Sequence, residues 1–146
     1  MEEVQNRLRW GILATGSIAA SFVEGVMNSK LGKVVAVGSR SQESADRFAN
    51  QFGGIPNRHP SYQALLDDDE VDAIYIATPH PMHKEWAIKA AQAGKHILCE
   101  KPIGLNVSEA EEIIQEAKDN DVFLMEAYMY RCSEQTLEII KLIKDG

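Results

Sequence analysis

The sequence predicts a doubly wound α/β fold built on a parallel sheet, and three observations carry that prediction. Short apolar runs alternate with helix-period segments along the whole chain. A turn of small residues closes the first apolar run. No linker, repeat or low-complexity tract interrupts the rhythm, and 146 residues suit one domain of ordinary size.

Each element has a local cause. Leu8–Ala14 is a short apolar strand, and Ser17–Asn28 carries Ile18, Phe22 and Val26 at helical spacing. Lys33–Ser39 holds Val34, Val35 and Val37, as a buried strand would. Glu43–Phe52 places Ala45, Phe48, Ala49 and Phe52 on one helical face, and Gly53 and Gly54 stop it. A weak strand is expected near Ile55–Arg58, a short helix over Ser61–Leu66 and a polar turn over Asp67–Glu70. Asp72–Ala77 is the next strand, and Pro81–Ala93 a helix with proline in its first turn and Gly94 as its stop. His96–Cys99 is a strand, and Ser108–Asp119 a helix with Ser108 as N-cap and Glu111 three residues on. Val122–Met125 is a strand, and Ser133–Lys144 a last helix ending before Gly146. Strand–helix alternation implies right-handed βαβ units, so five or six parallel strands with helices on both faces are expected.

Hydrophobic residues are 45% and charged residues 25% of the chain, near the globular average, which excludes a mostly disordered chain. Lys plus Arg number 15 and Asp plus Glu 22, a formal charge of −7. An acidic chain lacks the cationic field that drives nucleic-acid binding, so no DNA or RNA partner is expected. An anionic ligand stays open, because a few backbone N–H groups bind one at any net charge. No run of about 18 apolar residues occurs, so no membrane span is expected. Cys99 and Cys132 show no CxxC spacing and read as free thiols of a reducing cytoplasm. The polar lead Met1 to Arg7 shows no secretory pattern.

The first strand runs into Ala14-Thr15-Gly16-Ser17-Ile18-Ala19. Read as GxGxxG/A, the key positions are Ala14, Gly16 and Ala19, with alanine replacing the first glycine. Gly16 lets the backbone approach a pyrophosphate, the next helix meets it with free N–H groups, and Ala19 allows close helix–strand packing. That is a Rossmann-type dinucleotide site; the bland alternative is an ordinary small-residue turn. About 20 residues on, an NAD-selective site carries an acid for the ribose hydroxyl. Here Ser39 and Arg40 stand instead, and arginine donates strongly to a 2′-phosphate, which favours NADP over NAD. As a solvated loop residue, Arg40 would say nothing.

The strand before Ala77 leads into Thr78-Pro79-His80-Pro81-Met82-His83, a stiff loop at a strand's carboxyl end, where such folds bind ligands. His80 and His83 invite a metal reading, but the remaining ligands are missing and no metal is expected. His83 reads better as a helix-start residue packed near the cofactor. The next strand leads into Cys99-Glu100-Lys101-Pro102. A lysine there can reach the ligand crevice, and beside a cationic nicotinamide its ammonium is destabilised and suited to proton transfer. Cys99 reads as core rather than nucleophile, and Lys101 as a surface lysine remains the plain alternative.

Five segments together carry a resemblance: RWGILATGSIA, VAVGSR, ATPHPMH, AGKHILCEKP and EAYMYR stand in the order and spacing of the Gfo/Idh/MocA oxidoreductases. The chain resembles most the branch that includes glucose–fructose oxidoreductase and dimeric dihydrodiol dehydrogenase. The resemblance runs from Arg9 to Gly146, and AGKHILCEKP is its specific part. It implies that residues 1–146 are a dinucleotide-binding domain, with the family's larger C-terminal substrate and dimerisation domain absent from this chain. It implies pyrophosphate contacts from Thr15 to Ile18 and nicotinamide-ribose contacts from Thr78 to His83, including Pro79 and His80. It places Glu100 and Lys101 in the active site, with Lys101 in proton transfer or substrate binding, and Arg131 near cofactor and substrate. It implies a cis bond between Lys101 and Pro102 and a homo-oligomeric full-length parent.

The expected function is the NADP-binding half of an oxidoreductase moving a hydride between nicotinamide and a sugar or cyclic polyol. Two alternatives stay open: a non-catalytic NAD(P)-sensing module, against which Lys101 argues, and an inactive fragment.

Overall fold

The computed structural model describes residues 7–145; the lead Met1–Asn6 and Gly146 lie outside the described residues. The elements are β1 (Leu8–Leu13), α1 (Ser17–Met27), β2 (Gly32–Gly38), α2 (Gln42–Gln51), β3 (Asn57–His59), α3 (Tyr62–Leu66), β4 (Ala73–Ile76), α4 (His83–Gln92), β5 (His96–Cys99), α5 (Val107–Asp119), β6 (Leu124–Glu126) and α6 (Glu134–Asp145). The strands form one parallel six-stranded sheet in the order β3-β2-β1-β4-β5-β6. The chain leaves β3 at one edge and re-enters beside β1 with β4, so the strand order reverses at the β1–β4 pair. A crevice opens outside the carboxyl ends of the strands at that point.

Alternate residues of each strand serve opposite faces, as the two-residue period of a strand requires. Ile12, Val37 and Tyr75 pack with Ala19 and Val23 of α1 and Phe48 of α2. Leu13, Ala36, Ile74, Ile76 and Ile97 pack with Leu65 of α3, Ala87, Ala90 and Ala91 of α4, and Ile113 of α5. Both faces are covered, which is why the strands read as unbroken apolar runs. At Gly38 a Cβ would stand 2.8 Å from that of Leu65, so the close seat of α3 over β2 needs glycine there.

Several boundaries shift by a residue or two from the sequence expectation, and four of the shifts have a clear local cause. The N-cap of α5 is Asn106, not Ser108. Asn106 Oδ1 accepts from the Glu109 N–H at 3.0 Å, and the Glu109 carboxylate reaches back to the Leu105 N–H at 2.8 Å. Asparagine caps as well as serine does, and the upstream residue had the reciprocal partner. The helix expected from Pro81 begins as a 3₁₀ turn over His80–Met82 and turns α-helical at His83. Prolines at 79 and 81 disfavour the helical conformation of the residues before them. The strand expected near Ile55 is instead Asn57–His59, because the Ile55 N–H is spent on the Ala49 carbonyl at the end of α2. The last strand starts at Leu124 because the Val122 N–H is spent on Ala117 at the end of α5. The last helix, α6, contributes no buried residue. Among the described residues no helix is long and apolar enough to cross a membrane.

Candidate functional site

Ladder hydrogen bonds run one residue past the strand ends and align the chemistry-bearing residues along one sheet edge. Ala14 N–H donates to Gly38 O at 3.1 Å, Ala77 N–H to Leu13 O at 3.0 Å, and Glu100 N–H to Ile76 O at 3.0 Å. Ser39 N–H donates to His59 O at 3.1 Å and Ala127 N–H to Cys99 O at 2.8 Å. The turns after β1, β2, β4, β5 and β6 therefore open side by side.

The turn after β1 carries a left-handed residue. Ala14 takes φ +87°, the left-handed region, at the position where the motif has glycine. Gly16 is the N-cap of α1, has no side-chain cap bond, and is followed by no acid in the first turn. A Cβ on Gly16 would meet no atom of the described residues within 4 Å. Among the described residues the first N–H groups of α1 have no hydrogen-bond partner, and Ser17 and Ile18 beside them are exposed. By contrast α2, α3 and α5 close their own N-termini with Ser41, Ser61 and Asn106. A pyrophosphate fits this cradle sterically and electrostatically. Thr78 Oγ1, buried at the facing edge of the crevice, has no hydrogen-bond partner among the described residues, a second feature that suits a bound polar group.

Beside the cradle, Thr15 Oγ1 lies 3.4 Å from Ser39 Oγ, so the β1 and β2 turns touch. Ser39 is buried and Arg40 exposed. Arg9, Arg47 and Arg58 each face a carboxylate, whereas Arg40 faces none among the described residues.

Across the crevice, Pro79 and His80 are exposed and His83 is completely buried. His83 Nε2 lies 2.9 Å from Thr78 O and Nδ1 lies 2.7 Å from Pro102 O. The expected cis bond joins Lys101 and Pro102, and the Lys101 side chain is exposed. Glu100 is buried and turns to the sheet face under α1, where the Tyr75 hydroxyl donates to it at 2.5 Å. Tyr75 stacks on Phe22 of α1 with ring centroids 3.9 Å apart. Burial first, and the bond to Glu100 second, hold the Tyr75 phenol far above its usual range. Burial also pushes the Cys99 thiol up to about 12, which suits a core cysteine and not a nucleophile. Arg131 is exposed in the 3₁₀ turn Met129–Cys132 that follows β6. Among the described residues no group of three His, Cys, Asp or Glu side chains is placed to hold a metal.

Residues 8–128 match the Gfo/Idh/MocA profile, an oxidoreductase family with an NAD-binding Rossmann fold. The chain belongs to this family. It is 44% identical over 126 residues to trans-1,2-dihydrobenzene-1,2-diol dehydrogenase of Mus musculus, covering 85% of this chain and 38% of that protein. It is 36% identical over 136 residues to D-xylose 1-dehydrogenase (NADP(+)) 2 of Haloferax volcanii, covering 93% of this chain and 42% of that one. A 3-ketoreductase from Actinomadura kijaniata, crystallised with TDP-benzene and NADP in an open conformation, superposes with a TM-score of 0.89 at 33% identity. That match covers 97% of this chain and 44% of the reductase. The chain therefore spans about two-fifths of the length of the curated relatives it matches, 38% and 42% of these two.

Within this Gfo/Idh/MocA NAD(P)-binding domain, three contributors escape a reading of the sequence. Tyr75 is a lone phenol in an aliphatic strand, and nothing local tells that it reaches Glu100. Glu126 accepts the Ile103 N–H at 2.8 Å and so anchors the turn that carries Lys101. A carboxylate ending an otherwise apolar strand was its one visible signal. The third is the Thr78 hydroxyl, whose lack of a partner among the described residues has no signal in the sequence. The large apolar groove of about 590 Å³ is not the dinucleotide crevice. It lies on the α1 face of the sheet against Trp10, Phe22, Tyr75, Leu98 and Met125, and of the candidate site residues only Ile18 and Glu100 line it.

Proposed function

We propose that this domain binds NADP(H) in preference to NAD(H) and serves an oxidoreductase that interconverts a hydroxyl and a carbonyl on a sugar or cyclic polyol. The single observation that carries the reading is the open cradle at Gly16, with bare α1 N–H groups at the point where strand order reverses. The family match, and relatives named for a diol, for D-xylose with NADP(+) and for a 3-keto group, support the substrate class.

In this reading Ala14, Thr15, Gly16, Ser17 and Ile18 hold the pyrophosphate. Ser39 and Arg40 receive the 2′-phosphate, and Thr78, Pro79 and His80 border the nicotinamide ribose. The bound nicotinamide supplies or accepts the hydride. Lys101 holds or delivers the proton at the substrate oxygen, from a backbone fixed by its neighbours and a side chain free to reach the crevice. Arg131 borders the substrate side. Residues 1–146 act as the dinucleotide-binding unit of a longer, homo-oligomeric enzyme, whose further domain chooses the substrate.

The test uses the cradle. Gly16 has φ −79°, so replacement strains no backbone, and a new Cβ meets no atom of the described residues. Gly16→Val should leave the melting temperature nearly unchanged while NADPH affinity, read by nicotinamide fluorescence, falls roughly a hundredfold for a steric block at the phosphate. Undiminished binding in the folded variant overturns the reading. In a full-length enzyme, Lys101→Ala should lower kcat roughly a hundredfold with little change in cofactor affinity; near-normal turnover would remove Lys101 from the chemistry.

A further inference from the structure

We infer that His83 is a positioning residue: through its two ring nitrogens it ties the turn after β4 to the turn that carries Lys101, and it does not itself touch the cofactor. The inference rests on the cofactor reading above only for what the tie serves; the tie itself is a matter of this chain's own contacts.

His83 has no exposed surface. Its ring stands between two carbonyl oxygens, Thr78 O at 2.9 Å from Nε2 and Pro102 O at 2.7 Å from Nδ1. Both polar atoms are thus committed to backbone, and the ring offers none to a ligand. A neutral ring carries one N–H and hydrogen-bonds only one of the two carbonyls, its bare nitrogen making no bond to the other oxygen; a ring with hydrogen on both nitrogens donates to both, and that is the form a tie through both nitrogens requires. The exposed His80 ring packs edge-on against it, centroids 5.5 Å apart.

What the tie accomplishes follows from the segment it grips. Three consecutive residues are each held by a side chain from a different part of the sheet edge. The Lys101 N–H lies 3.3 Å from Glu100 Oε2, the Pro102 carbonyl meets His83 of α4, and the Ile103 N–H donates to Glu126 of β6 at 2.8 Å. The Lys101 side chain has no such hold and stays exposed. The result is a fixed stem beneath a free ammonium. Because Thr78 belongs to the neighbouring turn after β4, His83 also sets the spacing of the two adjacent turns on that side of the crevice. A core-filling histidine needs no such pair of acceptors.

The experiment is amide hydrogen exchange by NMR on this domain without cofactor, followed by NADPH titration. His83→Phe keeps the bulk and removes both nitrogens. It should lower protection of the Ile103 amide at least roughly tenfold, the scale of a lost hydrogen bond, and leave Val37 in β2 unchanged. His83→Asn retains a donor near the Nδ1 position and should recover most of the Ile103 protection; His83→Gln, with its amide at the Nε2 position, should not. If Phe or Gln leaves Ile103 as protected as in the parent chain, the tie is absent and the inference falls. Should the Phe variant not fold, the Asn and Gln variants decide by the same comparison. NADPH affinity should change by less than about threefold in the Asn variant; a loss matching that of Gly16→Val would make His83 a cofactor contact and overturn the inference. No NADPH binding by the parent chain would count against the proposed function and leave the exchange result to judge the tie.

Discussion

Ala14 donates its N–H to the Gly38 carbonyl at 3.1 Å while its own φ is +87°, so the phosphate turn closes on β2 at the expense of a left-handed alanine. The left-handed region costs an L-residue about 1–2 kcal/mol. Glycine there would remove that cost but lose about 0.4–1 kcal/mol to its freer unfolded chain. Ala14→Gly should therefore stabilise the domain by about 0.5–1 kcal/mol, raising the melting temperature by about 2–3 °C for a chain of this size. Calorimetry checks it; an unchanged or lower melting temperature would show that the turn carries no strain at Ala14.

Arg40 should decide cofactor choice. NADPH is expected to bind at least several-fold tighter than NADH to this domain. Arg40→Ala should remove most of that gap, since a charge-assisted bond contributes about 1.5–3 kcal/mol. Equal affinities in the unmutated protein, measured by parallel titrations, contradict the assignment.

The Tyr75–Glu100 pair should show itself at high pH. Unfolded tyrosine ionises near pH 10, whereas in the fold burial and the Glu100 carboxylate keep Tyr75 protonated well beyond it. The folded state then binds the extra proton, so stability is full below about pH 10 and declines as pH rises above it. Tyr75→Phe should cost about 1–3 kcal/mol at neutral pH, because Glu100 keeps its burial and loses its donor. It should also flatten the alkaline decline. Urea unfolding at neutral and alkaline pH reads both; parallel declines in the two proteins would refute the account.

The two cysteines should differ sharply in reactivity. Cys132 is exposed, and Cys99 is buried with its thiol pushed up to about 12. Thiolate is the reacting form, so native Cys99, buried and held as the thiol, should alkylate far more slowly than exposed Cys132. Mass spectrometry of partly labelled protein would show it, and similar labelling of both sites would mean that β5 opens freely.

The last helix should drive self-association. Leu137, Leu142 and Ile143 of α6 and Met129 and Tyr130 ahead of it are exposed, with Ile143 at 75%. Exposed apolar surface of this kind marks association sites. Sedimentation should show weight-average mass rising with concentration, and Leu137→Glu with Ile143→Glu should suppress the rise. A monodisperse monomer at high concentration would count against it.

Much of this was legible along the chain. Periods of two and 3.6 residues are local, so the strands, the principal helices and their order follow from side-chain spacing at Leu8–Leu13, Val34–Val37 or Ala87–Ala91. The Gly16 turn was legible for the same reason, because strand, small residues and helix are contiguous there. Short-range competition blurred the boundaries. Asn106 against Ser108, and Ile55 serving α2 rather than β3, are choices between two donors or caps that a sequence offers equally. What only the packed chain decided are the links between distant residues: Tyr75 to Glu100, His83 to Pro102, Glu126 to Ile103. Each joins residues separated by most of a helix and a strand, and each exists because parallel strands bring their carboxyl ends to one edge. A hydrogen bond needs its partners within about 3 Å, and residue order along the chain does not specify that distance; the crossing of the helices over the sheet does.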